Sequence, residues 1–101
     1  MLLYNVTYLV PNELVPEWLR WMKEEHLPEI MATTLFEKNT LLQLMNLDEQ
    51  DGLTFALQLY TPSPSEFDEY EKKIAPGLRL KATQQWGEQV IAFRTLMRIV
   101  Q

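Results

Sequence analysis

Cysteine is absent from the 101 residues, histidine occurs once and glycine three times. Without cysteine there is no disulfide framework, no thiolate nucleophile and no thiolate metal site, and a reducing compartment is permitted. A single histidine excludes a multi-histidine metal centre within one chain. Apolar runs extend for only a few residues. The N-terminus lacks the basic region, apolar stretch and small-residue cleavage site of a secretory signal, so neither secretion nor contact with a membrane is expected. Basic residues are few: 9 Lys and Arg stand against 14 Asp and Glu, for a net charge of −5. That balance argues against nucleic acid as a partner and suits a cytoplasmic protein. No phosphate-binding loop, dinucleotide fingerprint or Ser-His-Asp arrangement occurs, so no cofactor and no metal is expected. The acids Asp48, Glu49 and Asp51 lack the length and spacing of a calcium loop and read as turn chemistry.

What is present is material for a core. Hydrophobic residues make up 47% of the chain, with three Trp, four Tyr and four Phe, enough for one domain over residues 1–101. Residues 2–10 are β-branched and aromatic, predicting a first strand with Leu2, Tyr4, Val6, Tyr8 and Val10 on one face and Asn5 on the other. Pro11-Asn12 ends it, with Asn12 as a candidate N-cap. A first helix is expected to begin between Glu13 and Pro16. Stepping about 100° per residue groups Trp18, Leu19, Trp21, Met22 and His26 on one arc, with Glu25 also turned inward. Pro28 is expected to kink or break this helix.

Strands are predicted over residues 35–47 and 53–60, joined by a charged hairpin loop containing Asp51-Gly52. Ser63-Pro64-Ser65-Glu66 predicts a helix start, with Ser63 as N-cap and Glu66 as capping-box partner. Phe67, Tyr70 and Ile74 form its buried stripe. Pro76-Gly77 should break that helix, a second segment should run from 78 to 86, and Gly87 should stop it. Residues 90–100 predict the last strand.

The order β-α-β-β-α-β predicts an α+β protein of ferredoxin-like architecture: a four-stranded antiparallel sheet with two helices on one face. The other face should be wet in a monomer. Ile91, Phe93, Met97 and Ile99 on one side of the last strand argue otherwise, so a homodimer packed sheet to sheet is expected.

Candidate chemistry centres on His26. On the inner side of a helix it reads as a general base or polarising donor; structurally, it reads as a partner for a carbonyl that Pro28 leaves free. Arg94 and Asn5 sit on neighbouring strands and are candidates for binding an anionic or carbonyl ligand, although their sharing a face depends on register. Arg94 is equally a candidate partner for an acid of another subunit, such as Glu25. Trp18, Trp21 and Met22 suit an aromatic ligand box, but at helical spacing such residues are far more often core.

Several segments together resemble a known family. They are Tyr4-Asn5-Val6-Thr7; Glu17-Trp18-Leu19 through Trp21-Met22-Lys23-Glu24-Glu25-His26 and Pro28; Ala32-Thr33 with Phe36; Ala75-Pro76 with Leu78-Arg79; and Ala92-Phe93-Arg94-Thr95. The sequence is similar to a small bacterial family known only as a domain of unknown function, over nearly the whole chain. Thr34 departs from it, standing where the family's glycine is expected, which bears on the turn after the first helix. The resemblance implies the dimeric α/β-barrel superfamily, which holds cofactor-free monooxygenases, dehalogenases, lyases and haem-binding proteins beside members without assigned activity. Two readings follow. One is a homodimeric module without a catalytic constellation that takes a small molecule. The other is a cofactor-free monooxygenase, lyase or isomerase acting on a small aromatic or carbonyl compound, with His26 as base.

Overall fold

Alternation in the first strand is realised in β1 (Leu2–Pro11), where Leu2, Tyr4, Val6, Tyr8 and Val10 are buried on one face. A computed structural model describes residues 1–101. After a short 3-10 turn (Asn12–Leu14), a helical rod runs through α1 (Val15–Trp21), a π turn (Met22–His26) and α2 (Leu27–Met31). The hairpin of β2 (Lys38–Gln43) and β3 (Gly52–Thr61) follows. A second rod comprises α3 (Pro64–Glu69), another π turn (Tyr70–Ile74) and α4 (Ala75–Trp86), and β4 (Ile91–Arg98) completes the sheet. The strand order is β2-β3-β1-β4, antiparallel throughout. This is the ferredoxin-like fold, with both rods on one face.

Neither predicted helix break occurs. In a regular helix a proline ring collides with the carbonyl four residues back and leaves another carbonyl unpaired. Each rod loosens its ladder just upstream instead. The Leu27 N–H reaches back five residues to the Met22 carbonyl, and the Ala75 N–H reaches the Tyr70 carbonyl in the same way. The wider turns admit Pro28 and Pro76 near the start of α2 and α4 without ending either rod. They also turn the chain through a smaller angle per residue than an α-helix does. His26 is buried as expected, while Glu25 is exposed rather than inward.

Other local expectations are revised in detail. Ser63 is extended, as an N-cap should be, but its hydroxyl lies 3.0 Å from that of Ser65 and caps no backbone N–H. Glu66 accepts instead from the Thr61 hydroxyl at 3.4 Å. Asn12 caps nothing; its amide donates to the Glu49 and Gln50 carbonyls, each at 3.0 Å, and pins the β2–β3 loop to the end of β1. Gly87 ends α4 as expected, at φ +62°, where glycine carries no Cβ penalty. Thr34 adopts φ +61° in the turn after α2. The position where the resemblance calls for glycine is thus a left-handed one held by a β-branched residue.

The core lies between rods and sheet. Trp18, Met22, Ile30, Leu57, Leu59 and Val10 are almost wholly buried in it. The open face is different. β4 leaves Ile91 50%, Phe93 58% and Met97 39% exposed, and Leu9 of β1 and Leu42 of β2 are 40% and 41% exposed. By register these side chains lie on one side of the sheet. No helix is long and apolar enough to cross a membrane.

Candidate functional site

Between the rods and the sheet lies a cavity of about 120 Å³. Its floor is β1 and β4, through Tyr4, Val6, Tyr8, Ala92 and Arg94; its walls include Trp18, Trp21, His26, Tyr70, Arg79 and Trp86. The two π turns contribute one polar group each, His26 from the first and Tyr70 from the second.

His26 is stacked on Trp21, with ring centroids 4.5 Å apart and planes 19° from parallel. No hydrogen bond of the chain contributes to its state. Burial pulls its pKa from 6.5 down to about 4, with Glu29 raising it and Arg94 lowering it further. The ring is neutral at pH 7, so one nitrogen carries a free lone pair. The expected bond from His26 to a freed carbonyl is not made, because the π turn shifts the ladder around Pro28.

Across the cavity, Arg79 donates to the Tyr4 hydroxyl at 3.2 Å and to Glu71 at 2.6 Å. Burial opposes the Arg79 charge, but the Tyr4 hydrogen bond and the Glu71 carboxylate more than offset this and raise its pKa. Burial pushes Tyr4 and Tyr8 upward and Tyr70 to about 12, so all three hydroxyls are protonated at neutral pH. The indole N–H groups of Trp18 and Trp86 are buried without an acceptor, a cost of about 1–3 kcal/mol each. Arg94 takes part in none of the chain's ion pairs, which are Lys72–Asp68, Lys73–Glu69, Arg79–Glu71 and Lys81–Glu29.

Of the residues singled out from sequence, His26, Trp18, Trp21 and Arg94 meet at this cavity. Asn5 does not. Val6 is opposite Arg94 while Asn5 is opposite Thr95, so Asn5 and Arg94 lie on opposite faces. Asn5 instead donates to Thr7 at 3.0 Å on the open face. Met22 is fully buried and does not line the cavity, so it serves the core. Sequence reasoning passed over Tyr4, Tyr8, Tyr70, Arg79 and Trp86 as site residues. The signal for the first two was present, since both alternate onto the buried face of β1 with a hydroxyl to place. Arg79 and Trp86 reach the cavity from α4, at its second turn and its last residue.

Among curated proteins none matches the sequence. Solved structures of similar fold include an ethyl tert-butyl ether d (ethd) family protein from Bacillus halodurans C-125, at TM-score 0.69 and 9% identity over 99% of this chain and 100% of that one. A dimeric ferredoxin-like protein from an uncultured marine organism also scores 0.69, at 9% identity over 100% of this chain and 96% of that one. SnoaB, a cofactor-independent oxygenase from Streptomyces nogalater, scores 0.66 at 13% identity over 99% of this chain and 94% of that one. At such identities the likeness is one of fold. Sequence reaches further: with residues 1–100 matching its pattern, the chain belongs to the family described as a domain of unknown function, DUF4286.

Proposed function

We propose that the chain is a small-molecule-binding module whose helix–sheet cavity takes one flat ring, and that it works as a homodimer joined through the open face of the sheet. The observation that carries the first part is the convergence of His26 and Arg94 on one largely aromatic cavity, the histidine without a hydrogen bond and the arginine without an ion pair. Neither group is sealed in the core, since Arg94 is exposed and the buried atoms without a partner are those of Trp18, Arg79 and Trp86, so a ligand entering from solvent can meet both. Volume sets the size class. An apolar cavity of about 150 Å³ holds benzene, so a cavity of about 120 Å³ suits a single ring.

The homodimer is supported by Leu9, Leu42, Ile91, Phe93 and Met97, which share one exposed sheet face. Covering such a face gains about 25 cal/mol per Å² of apolar surface. Two of the fold neighbours are described as dimeric ferredoxin-like proteins.

Thermal unfolding with a panel of single-ring aromatics tests the binding reading, on wild type and His26→Ala in parallel. At least one compound should raise the wild-type midpoint by several degrees and the variant's by less. A panel that leaves the wild-type midpoint unmoved at millimolar concentration would overturn it.

A second reading makes the cavity an active site that works without a cofactor, with His26 as proton acceptor. What favours it is the neutral imidazole facing Arg94, a base beside a charge able to stabilise the anion it creates. A base with a pKa of about 4 removes only an acidic proton, which restricts the substrate to phenols, enols and activated carbonyl compounds. Turnover of such a compound by metal-free protein, lost in His26→Ala, is the expected result. Equal rates with and without protein would end this reading.

A further inference from the structure

We infer that the ligand is an anion, a single-ring aromatic carboxylate whose carboxylate group lies on the Arg94 guanidinium. This rests on reading the cavity as a ligand site. The chain carries 14 acidic and 9 basic residues, yet no Asp or Glu lines the cavity and two arginines do. An acidic protein has thus gathered positive charge around its one aromatic chamber.

The two arginines are not equivalent. Arg79 is neutralised by Glu71 at 2.6 Å and already holds the Tyr4 hydroxyl. Arg94 has no carboxylate partner. Register fixes where it points: it stands opposite Val6, between Tyr4 and Tyr8 on the helix side of the sheet. Burial sets the pKa of Tyr4, Tyr8, Tyr70 and His26, and the Arg94 charge lowers each as a smaller effect, so the guanidinium is within electrostatic reach of all four.

Donors dominate the rest. The protonated tyrosine hydroxyls offer O–H groups, and His26 alone offers a nitrogen lone pair. A neutral hydrocarbon ring would fill the volume and leave the exposed Arg94 guanidinium to water. A planar carboxylate matches the guanidinium fork with two parallel hydrogen bonds, and the ring then lies among Trp21, Trp86 and the tyrosines. Volume argues against larger anions, because a cavity of about 120 Å³ is no larger than one that takes a single ring.

The test titrates the full chain with benzoate, its neutral isostere benzamide, and phenyl phosphate, followed by tryptophan fluorescence. Wild type should bind benzoate at least tenfold more tightly than benzamide and more tightly than phenyl phosphate. Arg94→Gln should lose that tenfold preference with benzamide binding unchanged. Arg98→Gln, on the same face of β4 but outside the cavity, should behave as wild type. An unchanged benzamide affinity in Arg94→Gln also shows that the variant is folded. Benzamide binding as tightly as benzoate, phenyl phosphate binding more tightly, or a benzoate preference that survives Arg94→Gln would overturn the carboxylate assignment and leave the cavity reading standing. Should neither ring bind to wild type, both fall together.

Discussion

His26 lies against the face of Trp21, five residues earlier, with ring centroids 4.5 Å apart. In a regular helix side chains three and four residues apart meet; five apart do not. The π turn between them creates the contact, and the turn itself accommodates Pro28. One proline therefore bears on the position of the only histidine, and through it on the chemistry open to the cavity.

Stability should record the buried histidine. Its pKa is about 6.5 when unfolded and about 4 when folded, so between these values the unfolded chain binds more protons. The stabilisation from keeping His26 neutral is complete above about pH 6.5 and is lost as the pH falls through this window. Urea unfolding at pH 7 and pH 4.5 should show wild type losing roughly 2–3 kcal/mol more than His26→Phe. Equal losses would mean that His26 is protonated without penalty.

Thr34 at φ +61° holds a conformation that costs a β-branched residue about 1–2 kcal/mol. Thr34→Gly should relieve it. The gain is offset in part by the entropy of the unfolded chain, leaving a net stabilisation of about 0.5–1 kcal/mol and a midpoint several degrees higher. A lower midpoint would show that the Thr34 hydroxyl, which donates to the Thr33 carbonyl at 2.6 Å, outweighs the backbone strain.

Two glycines should respond in opposite directions although a Cβ meets nothing within 4 Å at either. Gly77 sits inside a continuous helical rod, so Gly77→Ala should stabilise by about 0.5–1 kcal/mol. Gly87 is at φ +62°, so Gly87→Ala should destabilise by about 1 kcal/mol. Denaturant midpoints decide both.

Met22 is fully buried and off the cavity. Met22→Ala should cost about 2–5 kcal/mol. Any ligand that wild type binds should meet the folded variant with nearly unchanged affinity. An affinity loss beyond tenfold in protein that is still folded would return Met22 to the site.

The homodimer proposal buries Phe93, the most exposed of the side chains named on the open face. Phe93→Glu should yield a single 12.0 kDa species in sedimentation with its circular dichroism intact. Wild type at the same micromolar concentration should sediment at twice that mass. A monomeric wild type would leave the open face without a partner copy.

Much of this architecture was written locally. The period-two pattern of Leu2, Tyr4, Val6, Tyr8 and Val10 determined a buried strand face, because successive side chains of an extended chain must point in opposite directions. Gly87 announced the end of α4, because φ preferences belong to single residues, whereas the positive φ of Thr34 was not legible in a β-branched residue. Element order sufficed for the fold, since few ways of packing β-α-β-β-α-β are open. The cavity was legible only in part. That Asn5 and Arg94 part company across the sheet depends on register, a one-residue choice made between distant segments. That both rods run on through their prolines depends on ladders loosened where packing rewards a continuous helix, and that His26, Tyr70, Arg79 and Trp86 line one chamber depends on how the two rods pack on the sheet. Local preference sees the proline and predicts a break; only the assembled core supplies the reason to continue.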